Sequence, residues 1–149
     1  MKRRKIRSLS VSEIGMGCMG FSHGYGQVPG AGYAEEAIRE AFGYGCNFFD
    51  TAEGYGKELY YPGHNEEIVG RAVRGFRNEV VIATKLHIRP EAVEDCGSVY
   101  AAIRRHLERS LKNLQTDYVD LYYLHRINME VDYLEVAHTM GRLIQEGLV

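Results

Sequence analysis

The chain has 149 residues, 45% of them hydrophobic and 26% charged, the composition of one soluble globular unit long enough to bury a core. A formal net charge of −2 leaves no electrostatic footprint for nucleic acid or an anionic membrane, and no run approaches the roughly 18 apolar residues of a membrane span. The basic opening MKRRKIRSLS lacks the apolar stretch of a secretory signal, and Cys18, Cys46 and Cys96, with no CxxC pair, argue against a disulfide framework or a metal site and suit a reducing cytoplasm.

A short hairpin is expected first, residues 3–9 and 11–14 folding around Leu9–Ser12. IGMGCMG at 14–20 reads as a short apolar stretch, followed by glycine-rich loop to Gly32. Over 34–42, Ala34, Ala37, Ile38, Ala41 and Phe42 fall on one face at helical spacing, and Gly43 and Gly45 end that helix. NFFD at 47–50 is the next strand. Asn65 is placed to cap a helix running to about Arg74, with Glu66 and Glu67 in its first turn.

VVIATK at 80–85 has the continuous apolar character of a buried parallel strand. Ser98 caps a helix whose inner stripe is Ile103, Leu107, Leu111 and Leu114. YVDLYYLH at 118–125 is a further strand, and 133–146 a last helix with Val136, Met140, Leu143 and Ile144 on one face. Strands alternating with helices of this length predict βαβ units and a parallel sheet.

Gly15-Met16-Gly17-Cys18-Met19-Gly20 has the spacing of a dinucleotide fingerprint, GxGxxG. That motif requires a helix to open at its glycines and hold a pyrophosphate on its N-terminus. Here the next residues are FSHGYGQVPGAGY, and the helix begins about fourteen residues too late. The match carries no such function.

The strand ends are more informative. Asp50 follows NFF, Lys85 follows VVIAT, His125 follows LYYL, and Tyr55 lies in the loop after Asp50. In parallel α/β folds the loops beyond the C-terminal strand ends build the site. Taken singly, Asp50 is an ordinary turn residue, Lys85 a solvated strand end, His125 a half-buried histidine and Tyr55 one of eleven tyrosines. Taken together they form complementary chemistry. A phenol is a weak acid that a neighbouring ammonium strengthens, a carboxylate holds the ammonium in place, and an imidazole orients and polarises a carbonyl. Such a site protonates a carbonyl oxygen while a cofactor delivers hydride to its carbon, since no side chain supplies hydride. His23, His64, His87, His106 and His138 show no metal-ligand spacing and read as surface or loop residues.

These residues lie in segments that resemble the aldo-keto reductase family: GMGCMGFSHGYG at 15–26, DTAEGYG at 50–56, NEEIVGRAV at 65–73, VVIATK at 80–85 and SLKNLQTDYVDLYYLHR at 110–126. The resemblance implies a (β/α)8 barrel of the TIM type, its bottom closed by a hairpin. It also implies reduction of small aldehydes and ketones by NADPH (NADP) bound without a Rossmann domain. Asp50, Tyr55, Lys85 and His125 fall on the family's catalytic positions, with Tyr55 as general acid, Lys85 tuning it, Asp50 pairing Lys85 and His125 orienting the carbonyl. Cys18, Met19 and Asp50 match positions lining the cofactor near its nicotinamide ribose. A threonine is more common where Cys18 stands.

A barrel of this type needs about 250 residues. Residues 1–149 carry the hairpin and about four of the eight βα units, with Leu148 and Val149 leading toward a fifth strand. The expectation is a half barrel, a partial domain whose open edges invite self-association. Two other readings stay open at this level: a cofactor-sensing or regulatory module, and a truncated, catalytically inactive half barrel.

Overall fold

A computed structural model of the chain describes residues 1–24 and 26–149. Tyr25, part of the GMGCMGFSHGYG segment, lies outside the described residues. The chain opens with an antiparallel hairpin, β1 (Arg3–Ile6) and β2 (Leu9–Ser12). Its turn falls at Arg7 and Ser8, with Arg7 at φ 52°, so Leu9–Ser12 is the second strand of the hairpin and not its bend. Strand β2 turns inward, burying Val11 and Ser12. Asn47 binds it to the sheet, accepting from Ser12 N at 2.6 Å and donating to Ser10 O at 3.0 Å.

Four parallel strands follow, in spatial order β3 (Met16–Gly17), β4 (Phe48–Asp50), β5 (Val81–Leu86) and β6 (Leu121–Leu124). Helix α1 (Ala31–Gly43) connects β3 to β4, and α2 (His64–Ala72) connects β4 to β5. Between β5 and β6 lie α3 (Pro90–Cys96) and α4 (Val99–Leu114), and α5 (Tyr133–Gln145) follows β6. Among the described residues no helix is long and apolar enough to cross a membrane.

Alternation along each strand sorts the side chains between two faces. Phe49, Ile82, Thr84 and Leu86 are wholly buried under the helices, where Ile38, Ile68, Val69, Ile103, Leu107 and Leu143 complete one core. Phe48, Asp50, Lys85 and Tyr123 alternate onto the opposite, more open face. That parity puts the charged strand ends on the face of the parallel sheet turned away from the helix-covered core.

Several local expectations shift. Helix α1 starts a turn early, at Ala31, directly after Pro29 and Gly30. The cap of α2 is Gly63, at φ 94°, because Asn65 is drawn inward and fully buried. Ser98 caps α4 as expected, accepting from Ala101 N at 3.1 Å, and the whole predicted stripe of Ile103, Leu107, Leu111 and Leu114 is buried. On α5 the buried stripe runs Val136, Thr139, Leu143, while Ile144 is exposed, one position round the helix from the contact face. Of the three cysteines, Cys18 and Cys46 are buried and Cys96 half-buried, and all are free thiols.

Candidate active site

The parallel register sets the site. Asp50 pairs with Ala83 on β5, and Lys85 pairs with Tyr123 on β6, so the C-terminal ends of three neighbouring strands converge. At the end of β5, the Lys85 ammonium donates to an Asp50 carboxylate oxygen, to Thr51 O at 2.7 Å and to the Tyr55 hydroxyl at 3.3 Å. All three donor hydrogens of Lys85 have acceptors, which fixes a side chain that is otherwise flexible. The His125 backbone N–H donates to Leu86 O at 2.8 Å, extending the ladder by one residue past β6. Its ring then meets that of Tyr55 edge to face, with centroids 5.5 Å apart. The four strand-end residues share one locus.

The loop holding Tyr55 is anchored at two depths. Thr51 N donates to Ala83 O at 2.8 Å and Glu53 N to Lys85 O at 3.2 Å, so the chain leaves β4 still bonded to β5. The Glu53 side chain, only 9% exposed, then accepts from His87 N at 2.9 Å, from His106 Nδ1 at 2.7 Å and from Arg109 at 3.1 Å. Burial alone would push the Glu53 carboxyl up, but these donors and charges outweigh it and hold the carboxyl below its ordinary value.

Beneath the loop, Asn65 uses every side-chain hydrogen-bonding direction it needs. Its amide donates to Cys18 O at 2.9 Å and Ser22 Oγ at 2.8 Å, and its oxygen accepts from Thr51 Oγ1 at 2.7 Å. This joins the segment after β3 to the one after β4. Sequence reasoning gave Asn65 a capping role and assigned none to Glu53. The available signal for Glu53 was a carboxylate in the loop sequence DTAEGY between Asp50 and Tyr55, with His106 and Arg109 three apart on one edge of α4.

Tyr55 and His125 border an open cleft of about 560 Å³, together with Met19, His87, Arg89 and Arg126. Asp50 opens instead onto a neighbouring hollow of about 590 Å³ on the sheet face turned away from the core, beside Phe48 and Tyr123. Lys85 joins the two through its bonds to Asp50 and Tyr55. Met19 stands on the cleft wall, whereas Cys18 is 0% exposed. Its thiol is pushed up to about 12, first by burial and then by the nearby Asp50 charge, and its N–H is taken by Asp50 O at 2.8 Å. Cys18 is therefore closed off from solvent.

His125 is held below the usual histidine value, first by burial and then by the positive charges of Lys85, Arg126 and His87. Its imidazole is neutral near pH 7 and has a ring N–H to donate. The other histidines divide differently from the surface reading: His106 is half-buried against Glu53, and His64 lies 2.9 Å from Ser22 Oγ with its ring stacked on Tyr60. Among the described residues no group of three or more His, Cys, Asp or Glu side chains could hold a metal ion.

The model of the aldo/keto reductase family matches residues 13–149. A Bacillus subtilis protein described as uncharacterized oxidoreductase YqkF is 36% identical over an alignment covering 100% of this chain and 47% of that protein. Among solved structures, the aldo-keto reductase AKR11C1 from Bacillus halodurans in its holo form superposes with a TM-score of 0.78 at 34% identity, covering 99% of this chain and 48% of the other. An aldo-keto reductase from Klebsiella pneumoniae in complex with NADPH gives a TM-score of 0.72 at 32% identity, covering 99% and 48%. The fold is of the TIM-barrel type, and the chain spans about half the length of the relatives it matches.

Proposed function

Since the chain belongs to the aldo/keto reductase family, we propose that it carries the acid–base half of an NADPH-dependent reductase that converts aldehydes and ketones to alcohols. One observation carries this reading. A single ammonium, Lys85, bridges a carboxylate and a phenol at the ends of neighbouring strands, on the edge of a cleft.

The cofactor assignment draws on the Klebsiella relative crystallised with NADPH and on the fit of the site. No helix opens at the Gly15–Gly20 stretch, where the chain makes only a three-residue turn, Met19–Phe21, so a pyrophosphate has no helix terminus there. The cleft beside Tyr55 is open and has Met19 on its wall, a soft apolar surface suited to a flat ring. Met19 and Asp50 are the residues here that would hold the nicotinamide end. When bound, the nicotinamide supplies hydride to the carbonyl carbon.

The residues of the chain do the remaining work. Tyr55 gives its phenolic proton to the carbonyl oxygen, leaving the alcohol. Lys85 stabilises the negative charge that develops on the phenolic oxygen, at 3.3 Å. Asp50 and Thr51 O hold Lys85 at that distance. His125, neutral, donates a hydrogen bond to the same carbonyl oxygen and fixes its orientation.

Titration of NADPH fluorescence with the chain tests the cofactor half of the reading, and saturable binding is expected. Loss of aldehyde reduction in Tyr55→Phe, with the NADPH titration unchanged, tests the chemical half. Absence of saturable binding, or full activity in Tyr55→Phe, overturns it.

A further inference from the structure

The charges around the cleft are unevenly satisfied. Lys57, Arg89, Arg109 and Arg126 line it, against Glu53 and Glu58. Glu58 is 3.6 Å from Lys57 and 3.1 Å from His23, and Glu53 is 3.1 Å from Arg109. Those carboxylates are committed. Among the described residues, Arg89 and Arg126 have no carboxylate within 4.0 Å and donate no side-chain hydrogen bond. Both are exposed.

Their placement is specific. Arg89 follows the end of β5 by three residues and Arg126 directly follows His125, so two loops deliver one guanidinium each to the cleft that Tyr55 and His125 border. Neutral carbonyl compounds would leave both guanidinia facing water. Guanidinium is the side-chain group whose planar fork matches a carboxylate or phosphate with two parallel hydrogen bonds. A cleft lined by four basic side chains against two carboxylates also draws in ligands of negative sign. The positive field reaches the reacting residues, because Lys85, Arg126 and His87 all act to disfavour the protonated form of His125.

We propose that the cleft takes carbonyl compounds bearing an oxoanion, carboxylate or phosphate, and that Arg89 and Arg126 hold that group while the carbonyl lies against Tyr55 and His125. The inference rests on the reductase reading given above. Phosphates of the cofactor are a second source of the same chemistry, and the test separates the two.

Calorimetric titration of the chain without cofactor compares 4-carboxybenzaldehyde, 4-formylphenyl phosphate and the neutral methyl 4-formylbenzoate. At low salt the two anions should bind at least about tenfold more tightly than the ester, the order expected of a charge-assisted hydrogen bond. The difference should shrink as salt rises. Arg89→Gln combined with Arg126→Gln should remove it, with the thermal melt and the NADPH titration unchanged.

Equal binding of acid and ester, no binding of the acid, or an advantage that survives the double substitution overturns the proposal. Loss of NADPH binding with the acid advantage intact assigns the arginines to cofactor phosphate and also overturns it. An acid advantage lost in the double variant, in a chain that neither binds NADPH nor reduces aldehydes, upholds the oxoanion site and rejects the reductase reading alone.

Discussion

Lys85 Nζ lies 3.3 Å from the Tyr55 hydroxyl while its other hydrogens go to Asp50 and to Thr51 O. The three contacts are unequal in consequence. Lys85→Met removes the cation beside the phenol and should lower the rate of aldehyde reduction by at least about 10²-fold, the scale of an impaired acid–base step. Asp50→Asn leaves Lys85 its bonds to Thr51 O and Tyr55, so the loss should be smaller. Comparison of kcat in the two variants checks the order. A larger loss in Asp50→Asn would give the carboxylate a part beyond positioning.

His125 supplies a pH dependence. Burial and the charges of Lys85, Arg126 and His87 hold its folded-state value below the ordinary 6.5. The unfolded chain therefore takes up this proton at higher pH than the folded one. The associated stability is complete above the ordinary histidine value and is lost as pH falls through that value toward the folded one. The neutral ring that donates to a carbonyl is lost over the lower part of the same range. NMR titration of the imidazole should show a midpoint below 6.5 that rises in Arg126→Gln.

Glu53 straps the Tyr55 loop to the end of β5 and to α4. Its carboxyl is held below the ordinary value, so the stability it contributes is present above about 4.5 and lost as pH falls through the folded value. Glu53→Gln keeps an acceptor for His87 N but faces Arg109 and His106 without charge. Weakening the bonds to a buried carboxylate, with one guanidinium partner half exposed, should cost about 1–2 kcal/mol, read from a urea melt at pH 7. The loss should shrink on acidification, because the native carboxyl is then protonated too.

The parallel sheet and the four strand-end groups were legible because both depend on short-range pattern. An apolar run ending in a charged residue reads the same in sequence as in the register of Asp50, Lys85 and His125. Features set by contacts between distant segments were not. Asn65 has the composition of a cap, yet its partners are Cys18, Ser22 and Thr51, far off in the chain. His106 becomes half-buried only because Glu53 arrives beside it. Helix α3 had its signals, Pro90 at the first turn and Gly97 at φ 77° past its end, but Ala92 and Val93 are too few apolar residues to give a periodicity. Cys18 is wholly buried, a depth that an uncharged thiol among apolar neighbours makes natural.

Two glycines in helices separate packing from propensity. Gly70 in α2 lies against the end of α4: a Cβ there would meet the Leu114 carbonyl oxygen at 2.5 Å and its carbon at 2.6 Å. Both are backbone atoms, so the strain is relieved only by moving a helix. Gly141 in α5 has nothing within 4 Å of the same position. Alanine is favoured over glycine in a helix interior by about 1 kcal/mol, and that gain applies equally to both sites. Gly141→Ala should therefore stabilise the chain by about 1 kcal/mol in a urea melt. At Gly70 the gain opposes overpacking of about 1–3 kcal/mol or more, and a carbonyl contact this short puts the cost at the upper end. Gly70→Ala should be destabilising by about 2 kcal/mol. Because α2 also carries Asn65, the displacement should reach the segment around Met19, and NADPH affinity should fall in Gly70→Ala but not in Gly141→Ala.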